Sequence, residues 1–224
     1  AHAANPTFSR KQPYGERGLR TRAVAVGELN GDGALDIVTG IDGQSYVYFN
    51  DGAGVFPSSA PYGPSASTVA VALGDMNGDG TLDIVAGGED QIHVYFNNGA
   101  GSFSTPISFS TADIWDIALG DMNGDGALDI VTANSAQSYV HLNDGDFFTS
   151  VPFTTTSTTS VAIGDMDGDG LLDIAAADAN DENYVFLNRG TNGFELSASF
   201  GPDFTMDVAV ADMNGDGALD FIAV

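Results

Sequence analysis

Oxygen-bearing side chains recur in this chain at one fixed spacing. The phrases are GELNGDGALDIV (27–38), GDMNGDGTLDIV (74–85), GDMNGDGALDIV (120–131), GDMDGDGLLDIA (164–175) and ADMNGDGALDFI (211–222). Side-chain oxygens at positions 1, 3, 5 and 9, a backbone carbonyl at 7 and a glycine at 6 for the sharp turn form a loop that wraps a hard cation. The expected ligands are Glu28, Asn30, Asp32, Ala34 and Asp36 in the first copy, and Asp75, Asn77, Asp79, Thr81 and Asp83 in the second. They are Asp121, Asn123, Asp125, Ala127 and Asp129 in the third, and Asp165, Asp167, Asp169, Leu171 and Asp173 in the fourth. The fifth set is Asp212, Asn214, Asp216, Ala218 and Asp220. Ca²⁺ accepts six to eight oxygens at irregular geometry, whereas Mg²⁺ demands an octahedron and sheds water reluctantly, so up to five Ca²⁺ are expected. Two carboxylates about 4 Å apart repel by about 4 kcal/mol at an effective dielectric of about 20, and a cation relieves that crowding.

Two other structures could use the same residues. An EF-hand loop begins the same way but requires a bidentate Glu at position 12 and flanking helices. Position 12 here is Thr39, Ala86, Thr132, Ala176 or Ala223, and the flanks read as strands. The EF-hand therefore fails, and paired helical dockerin-like loops fail with it. Asp, Asn and Gly also favour turns that hold no metal. Five copies with the same donor positions favour the cation. Glu28 is one methylene longer than Asp at position 1, which distorts or weakens the first site. Asp167 in place of Asn adds charge, and with it affinity, to the fourth.

The elements around each phrase repeat too. The first acidic positions are spaced by 47, 46, 44 and 47 residues. Before each phrase, bulky and small residues alternate, as in Val69-Ala-Val71-Ala-Leu73, which is strand periodicity. After it comes a second apolar run (Leu82-Asp-Ile-Val), then an aromatic one (SYVYFN, IHVYFN, SYVHLN, NYVFLN), a Gly/Asn turn, and a segment opening on Phe56, Phe103, Phe147 or Phe194. Nothing shows helical periodicity. Four antiparallel strands every ~45 residues predict a blade of a β-propeller in an all-β fold. A β-solenoid has shorter coils and a tandem array of sandwiches has longer domains. The chain reads as one propeller domain over 1–224, with repeats near 22–67, 68–113, 114–158, 159–204, and 205–224 plus 1–21.

These phrases and strands resemble the FG-GAP/VCBS repeats of integrin α-subunit propellers, fungal propeller lectins and secreted bacterial proteins, over nearly the whole chain. The resemblance implies Ca²⁺ held in the loop between strands 1 and 2 of each blade, and an extracellular setting. Trp115-Asp116 is a stray WD dipeptide without a Gly-His partner, so no WD40 repeat is read.

Closure is the awkward point. NPTFSRKQPYG (5–15) parallels the fourth segment GVFPSSAPYG (54–63), and ALDFIAV ends within a second strand. About five blades are expected, the last shared between the termini and lacking its third strand. The alternatives are a fragment of a six- or seven-bladed parent, or a ring completed by another chain, so an oligomer is a possible partner.

Composition narrows function. Six Lys+Arg against 31 Asp+Glu give a formal charge of −25, which argues against nucleic acid and anionic membranes. Sixteen of the acidic residues lie in the five loops, so five Ca²⁺ would bring −25 to −15. With 43% hydrophobic residues and 14 Phe the chain should fold. No apolar run is long enough to span a bilayer. There is no cysteine, hence no disulfide and no thiolate site. The opening AHAANP has the small-residue character of a signal-cleavage region, without its charged and apolar regions.

No enzyme is expected: the three histidines sit at non-equivalent places and the paired carboxylates belong to the loops. A calcium-assisted carbohydrate-active enzyme, such as a polysaccharide lyase, is a second alternative: it would need a Lys, Arg, Tyr or His base beside an open metal, and the tyrosines leave it open. The favoured reading is a calcium-stabilised recognition propeller binding a glycan or extracellular protein on the rim opposite the loops. A propeller serving only as scaffold is the alternative. Rim candidates are Arg22, Trp115, Asp116 and Asp207 at strand-1 starts and Gln44, Gln91 and Gln137 in the 2–3 loops.

Overall fold

A computed structural model describes residues 18–145, 148–154, 156–178, 182–201 and 205–224. The N-terminal segment 5–15, Phe147 and the loop residue Asp181 lie outside the described residues. Among the described residues the regular elements are strands and one 3₁₀ turn, Gly190–Asn192. Among those residues no helix is long and apolar enough to cross a membrane.

The first blade is built from β1 (Thr21–Gly27), β2 (Asp36–Phe49) and the start of β3 (Ser58–Gly74). β2 doubles back at Gly43, whose φ of 138° suits glycine. Its halves face each other: the Thr39 hydroxyl donates to the Tyr46 carbonyl at 3.1 Å, and Asn50 N–H donates to Asp36 at 2.8 Å. β2 thus supplies the second and third strands of that blade. The rest of β3 crosses into the second blade, completed by β4 (Asp83–Gly88), β5 (Gln91–Tyr95) and β6 (Ile107–Ser110). The third comprises β7 (Ile114–Gly120), β8 (Asp129–Asn134), β9 (Tyr139–Asn143) and β10 (Phe148–Pro152). The fourth comprises β11 (Ser160–Gly164), β12 (Asp173–Ala177), β13 (Asn183–Asn188) and β14 (Phe194–Phe200). β15 (Val208–Ala211) and β16 (Asp220–Ala223) form a two-stranded fifth sheet. Four blades of four antiparallel strands and a two-stranded fifth sheet are therefore present; the sharing of that fifth blade between the termini falls on residues outside the described ones.

One register recurs. Gly27 pairs with Asp36, Gly74 with Asp83, Gly120 with Asp129, Gly164 with Asp173, and Ala211 with Asp220. The acidic phrase is therefore the turn between strands 1 and 2 at the same height in every blade. Second strands β4, β8 and β12 are buried on both faces, which explains their unbroken apolar runs.

The core lies between blades, in three clusters centred on Val38 and Ile84, on Val85 and Ile130, and on Val131 and Ile174. Each joint closes over a glycine. A Cβ at Gly74 would come within 2.7 Å of Leu128 Cδ1 and 2.9 Å of Leu119 Cδ1, and one at Gly120 within 2.5 Å of Ile163 Cδ1. Small residues on the innermost strands thus admit the bulky residues of the next blade. Val26 and Leu35, equivalent to Leu73 and Leu82, remain 56% and 58% exposed, and Met213 on the last sheet is 66% exposed. The first and last blades therefore present unpartnered joint faces among the described residues.

Candidate metal loops and inter-blade clefts

The shared register puts the five acidic phrases on one side of the propeller, each curled around its own carboxylates. In the second loop Asp75 accepts from Asp79 N–H (3.1 Å) and Gly80 N–H (2.8 Å), and Asn77 Nδ2 donates to Asp79 Oδ2 at 3.0 Å. In the third, Asp121 accepts from Gly124, Asp125 and Gly126, and Asn123 donates to Asp125. Glu28 still closes the first loop by accepting from Asn30 N–H and Gly31 N–H. The position-7 residues Ala34, Thr81, Ala127, Leu171 and Ala218 each donate their N–H to the position-5 aspartate. The Thr81 hydroxyl bond first, then backbone bonds and the Asn77 amide, hold the Asp79 carboxyl below its ordinary range, and backbone N–H groups do the same for Asp125 and Asp212.

Position 9 has a role that the spacing did not reveal. Asp83 is wholly buried and accepts from Met76 N–H at 2.9 Å and Asn97 N–H at 2.8 Å, so its two oxygens staple the start of the loop to the end of the third strand. Asp36, Asp129 and Asp173 repeat this arrangement, and Asp220 makes its Met213 half. Burial pushes the Asp36, Asp83, Asp129 and Asp173 carboxyls upward, two backbone bonds oppose it, and neighbouring loop aspartates add to the rise.

The donor set suits a hard divalent cation. Each loop offers carboxylate oxygens, all but the fourth add an asparagine amide oxygen, and in the first four the carboxylates lie close enough to repel one another. In the fourth loop Asp165, Asp167 and Asp173 bring ligand atoms within 4.8 Å of one another.

A second link comes from the asparagine that ends each third strand. Asn97 Nδ2 donates to Leu29 O (2.9 Å), Asn143 Nδ2 to Met76 O (2.8 Å) and Asn188 Nδ2 to Met122 O (2.6 Å), each tying a blade to the one before it. The recurring YFN/HLN/FLN endings carry this signal in the sequence.

The rim candidates are dispersed. Arg22 pairs with Asp42, which also accepts from Ser67, yet Arg22 and the half-exposed Trp115 line one small recess of about 190 Å³ with Glu89 and Asp113. Asp116 and Asp207 meet at Ser160, whose Oγ lies 2.8 Å from a carboxylate oxygen of each. One hydroxyl proton serves only one of them. Burial foremost, with the Asp207 charge adding, pushes the Asp116 carboxyl upward. Gln44 is committed to the backbone, donating to Tyr62 O at 2.7 Å, and Gln137 accepts from the Tyr139 hydroxyl. Gln91 stands exposed at the mouth of a larger cleft.

That cleft is one of three at equivalent joints, with volumes of about 800, 420 and 380 Å³. Third-strand residues His93 and Tyr95 line the first, Tyr139 and His141 the second, and Tyr184 and Phe186 the third. Beside them runs an aromatic joint: Tyr62 against Tyr95 (5.6 Å), Phe109 against His141 (5.0 Å) and Phe153 against Phe186 (5.4 Å). The Tyr95 hydroxyl is buried without a hydrogen-bond partner, and Gly63 leaves it room, since a Cβ there would lie 2.9 Å away.

Four-stranded antiparallel sheets, each carrying one acidic turn between its first two strands, define a repeat propeller. The chain belongs to the family of FG-GAP-like repeat proteins, whose model matches residues 28–86, 75–132, 121–176 and 165–223. No curated protein sequence matches it. Among solved structures, an Agrocybe aegerita lectin described as recognising non-reducing terminal N-acetylglucosamine superposes with a TM-score of 0.60 at 22% identity, over 92% of this chain and 61% of that one. The V. cholerae biofilm matrix protein Bap1 gives 0.61 at 21% identity, over 91% of this chain and 34% of that one. BBS1N, in its complex with ARL6DN, gives 0.61 at 13% identity, over 93% and 64%. The chain spans less than two thirds of each, and at these identities the likeness is one of fold.

Proposed function

We propose that this chain is a calcium-stabilised, extracellular recognition propeller that binds glycans in the clefts between blades, with the acidic loops serving as scaffold. The observation that carries this reading is the threefold recurrence of one cleft, lined at matching third-strand positions by aromatic or imidazole rings. Amide and hydroxyl groups stand beside them: Gln91 and Ser104 in the first cleft, Ser150 and Thr111 in the second, Gln137 and Thr154 in the third. Rings offer an apolar platform to the C–H face of a sugar, and amides and hydroxyls pair with its hydroxyl groups. Tyr95, whose hydroxyl burial pushes up to about 12, stays a neutral donor at any physiological pH. A lectin and a matrix protein among the structural neighbours agree with an extracellular, carbohydrate-facing role.

Calcium, when bound, would neutralise the loop carboxylates. Glu28 or Asp75 and their equivalents, with the position-3 and position-5 residues, would hold it at the exposed side. Position 9 keeps its two backbone bonds.

A glycan array probed in calcium buffer tests the reading. Loss of a glycan signal in His93→Ala combined with Tyr184→Ala supports the clefts. Loss in Trp115→Ala instead would move recognition to the rim recess beside Arg22. An array with no bound glycan leaves the scaffold role as the better account.

A further inference from the structure

The fourth repeat departs from the others in two places at once. At position 3 of the phrase, Asn30, Asn77, Asn123 and Asn214 give way to Asp167. At the residue following the third-strand asparagine, Asp51, Asn98 and Asp144 give way to Arg189. These two substitutions, 22 residues apart, meet in space: Arg189 Nη1 donates to Asp167 Oδ2 at 2.7 Å and lies 3.7 Å from Asp169 Oδ2. From β14, Glu195 anchors the other side of the guanidinium by accepting from Nε at 3.0 Å.

We propose that Arg189 is the resident cation of the fourth loop, so that this blade keeps its acidic turn folded without a divalent ion while the other loops depend on one. The inference rests on the cation reading of the loops and concerns how one of them departs from it. A guanidinium is always charged, and its planar fork suits two carboxylates at once. Although Asp165, Asp167 and Asp173 gather their oxygens here, an incoming Ca²⁺ among them would have to sit within a few ångströms of that positive charge, or displace Arg189 from Asp167. Either demand weakens binding by more than about tenfold relative to a loop without the arginine. The extra carboxylate, expected from the sequence to strengthen the fourth site, instead faces a built-in partner.

Native mass spectrometry of the full chain titrated with Ca²⁺, with melting in EDTA alongside, tests this. The wild-type chain should saturate at one ion fewer than its number of acidic loops. Asp79→Ala and Asp125→Ala should each lose one ion, whereas Asp169→Ala should lose none. Arg189→Gln should gain an ion and melt several degrees lower than wild type in EDTA. Loss of an ion in Asp169→Ala, with Asp79→Ala also losing one, would overturn the Arg189 assignment while leaving the cation reading intact. An unchanged ion count in Arg189→Gln would overturn it as well, without depending on how Asp169→Ala folds. Absence of ions from every loop of the wild type would instead remove the cation reading, and this inference with it.

Discussion

The Asn143 side-chain amide donates to the Met76 carbonyl at 2.8 Å, across 67 residues of sequence and from the third blade to the second. Its other donor bond, to Leu128 O at 3.1 Å, stays within its own blade. One amide thus couples the strand-2 entry of its own blade to the acidic turn of the neighbour. Asn97 and Asn188 do the same, so the loops and the joints between blades form one mechanical system.

Removing such an amide should loosen a joint. Asn97→Ala leaves the buried Leu29 carbonyl and the half-buried Leu82 carbonyl without this donor and should cost about 1–3 kcal/mol in urea unfolding. Asn50 donates to Leu35 O in its own blade, at the exposed first face. Asn50→Ala should therefore cost clearly less, under about 1 kcal/mol.

Positions 5 and 9 of one phrase should respond differently to metal. Asp83→Asn disturbs two buried backbone bonds and should destabilise by at least about 2 kcal/mol in calcium and in EDTA alike. Asp79 is exposed on the loop, so Asp79→Ala should matter mainly in calcium and lose most of its effect in EDTA. Melting curves of both variants in the two buffers check this contrast.

The joint glycines should be intolerant of a methyl group. Gly120→Ala sets a Cβ against Ile163 and Leu172 and should destabilise by about 1–3 kcal/mol. At the next joint Val210 approaches Gly164 no closer than 3.4 Å, so Ile163→Val should partly rescue Gly120→Ala. A double-mutant cycle would show coupling of the two sites.

Acid should weaken the fold through His141. Burial lowers its pKa to about 4 from the ordinary 6.5, so between those values the unfolded chain takes up a proton that the folded one refuses. The stabilisation is complete above about pH 6.5 and is lost as pH falls toward 4, for a total of about 3 kcal/mol. Asp116 works in the opposite direction, because a raised carboxyl favours the folded state at low pH. The test is therefore a comparison: His141→Phe, the residue that Phe186 supplies in the next repeat, should flatten the fall in urea midpoint between pH 7 and 4.5 relative to the parent.

The strand order and the acidic turn were legible because both depend on local chemistry. Period-two alternation in Val69–Leu73 and the Asp-Gly spacing dictate backbone conformation within a few residues, and repetition made them unmistakable. What was not legible depends on partners far along the chain. Asp83 reads the same whether its oxygens face a cation or the N–H groups of Met76 and Asn97. The Asn97–Leu29 bond joins residues 68 apart. Arg189 lies 22 positions from Asp167, outside any window that a loop motif covers, although the paired departure of both residues from the repeat was present to be seen. The clefts are not legible for a related reason: each combines the fourth strand of one blade with the third of the next, whereas the sequence repeat follows single blades.

Thermal melting of the full chain in millimolar calcium and again in excess EDTA tests the central claim most directly. Each site occupied at about a hundred times its Kd adds about 2.7 kcal/mol to folding, so several sites together should raise Tm by more than about 10 °C over the chelated protein. Superimposable curves in the two buffers would contradict the account.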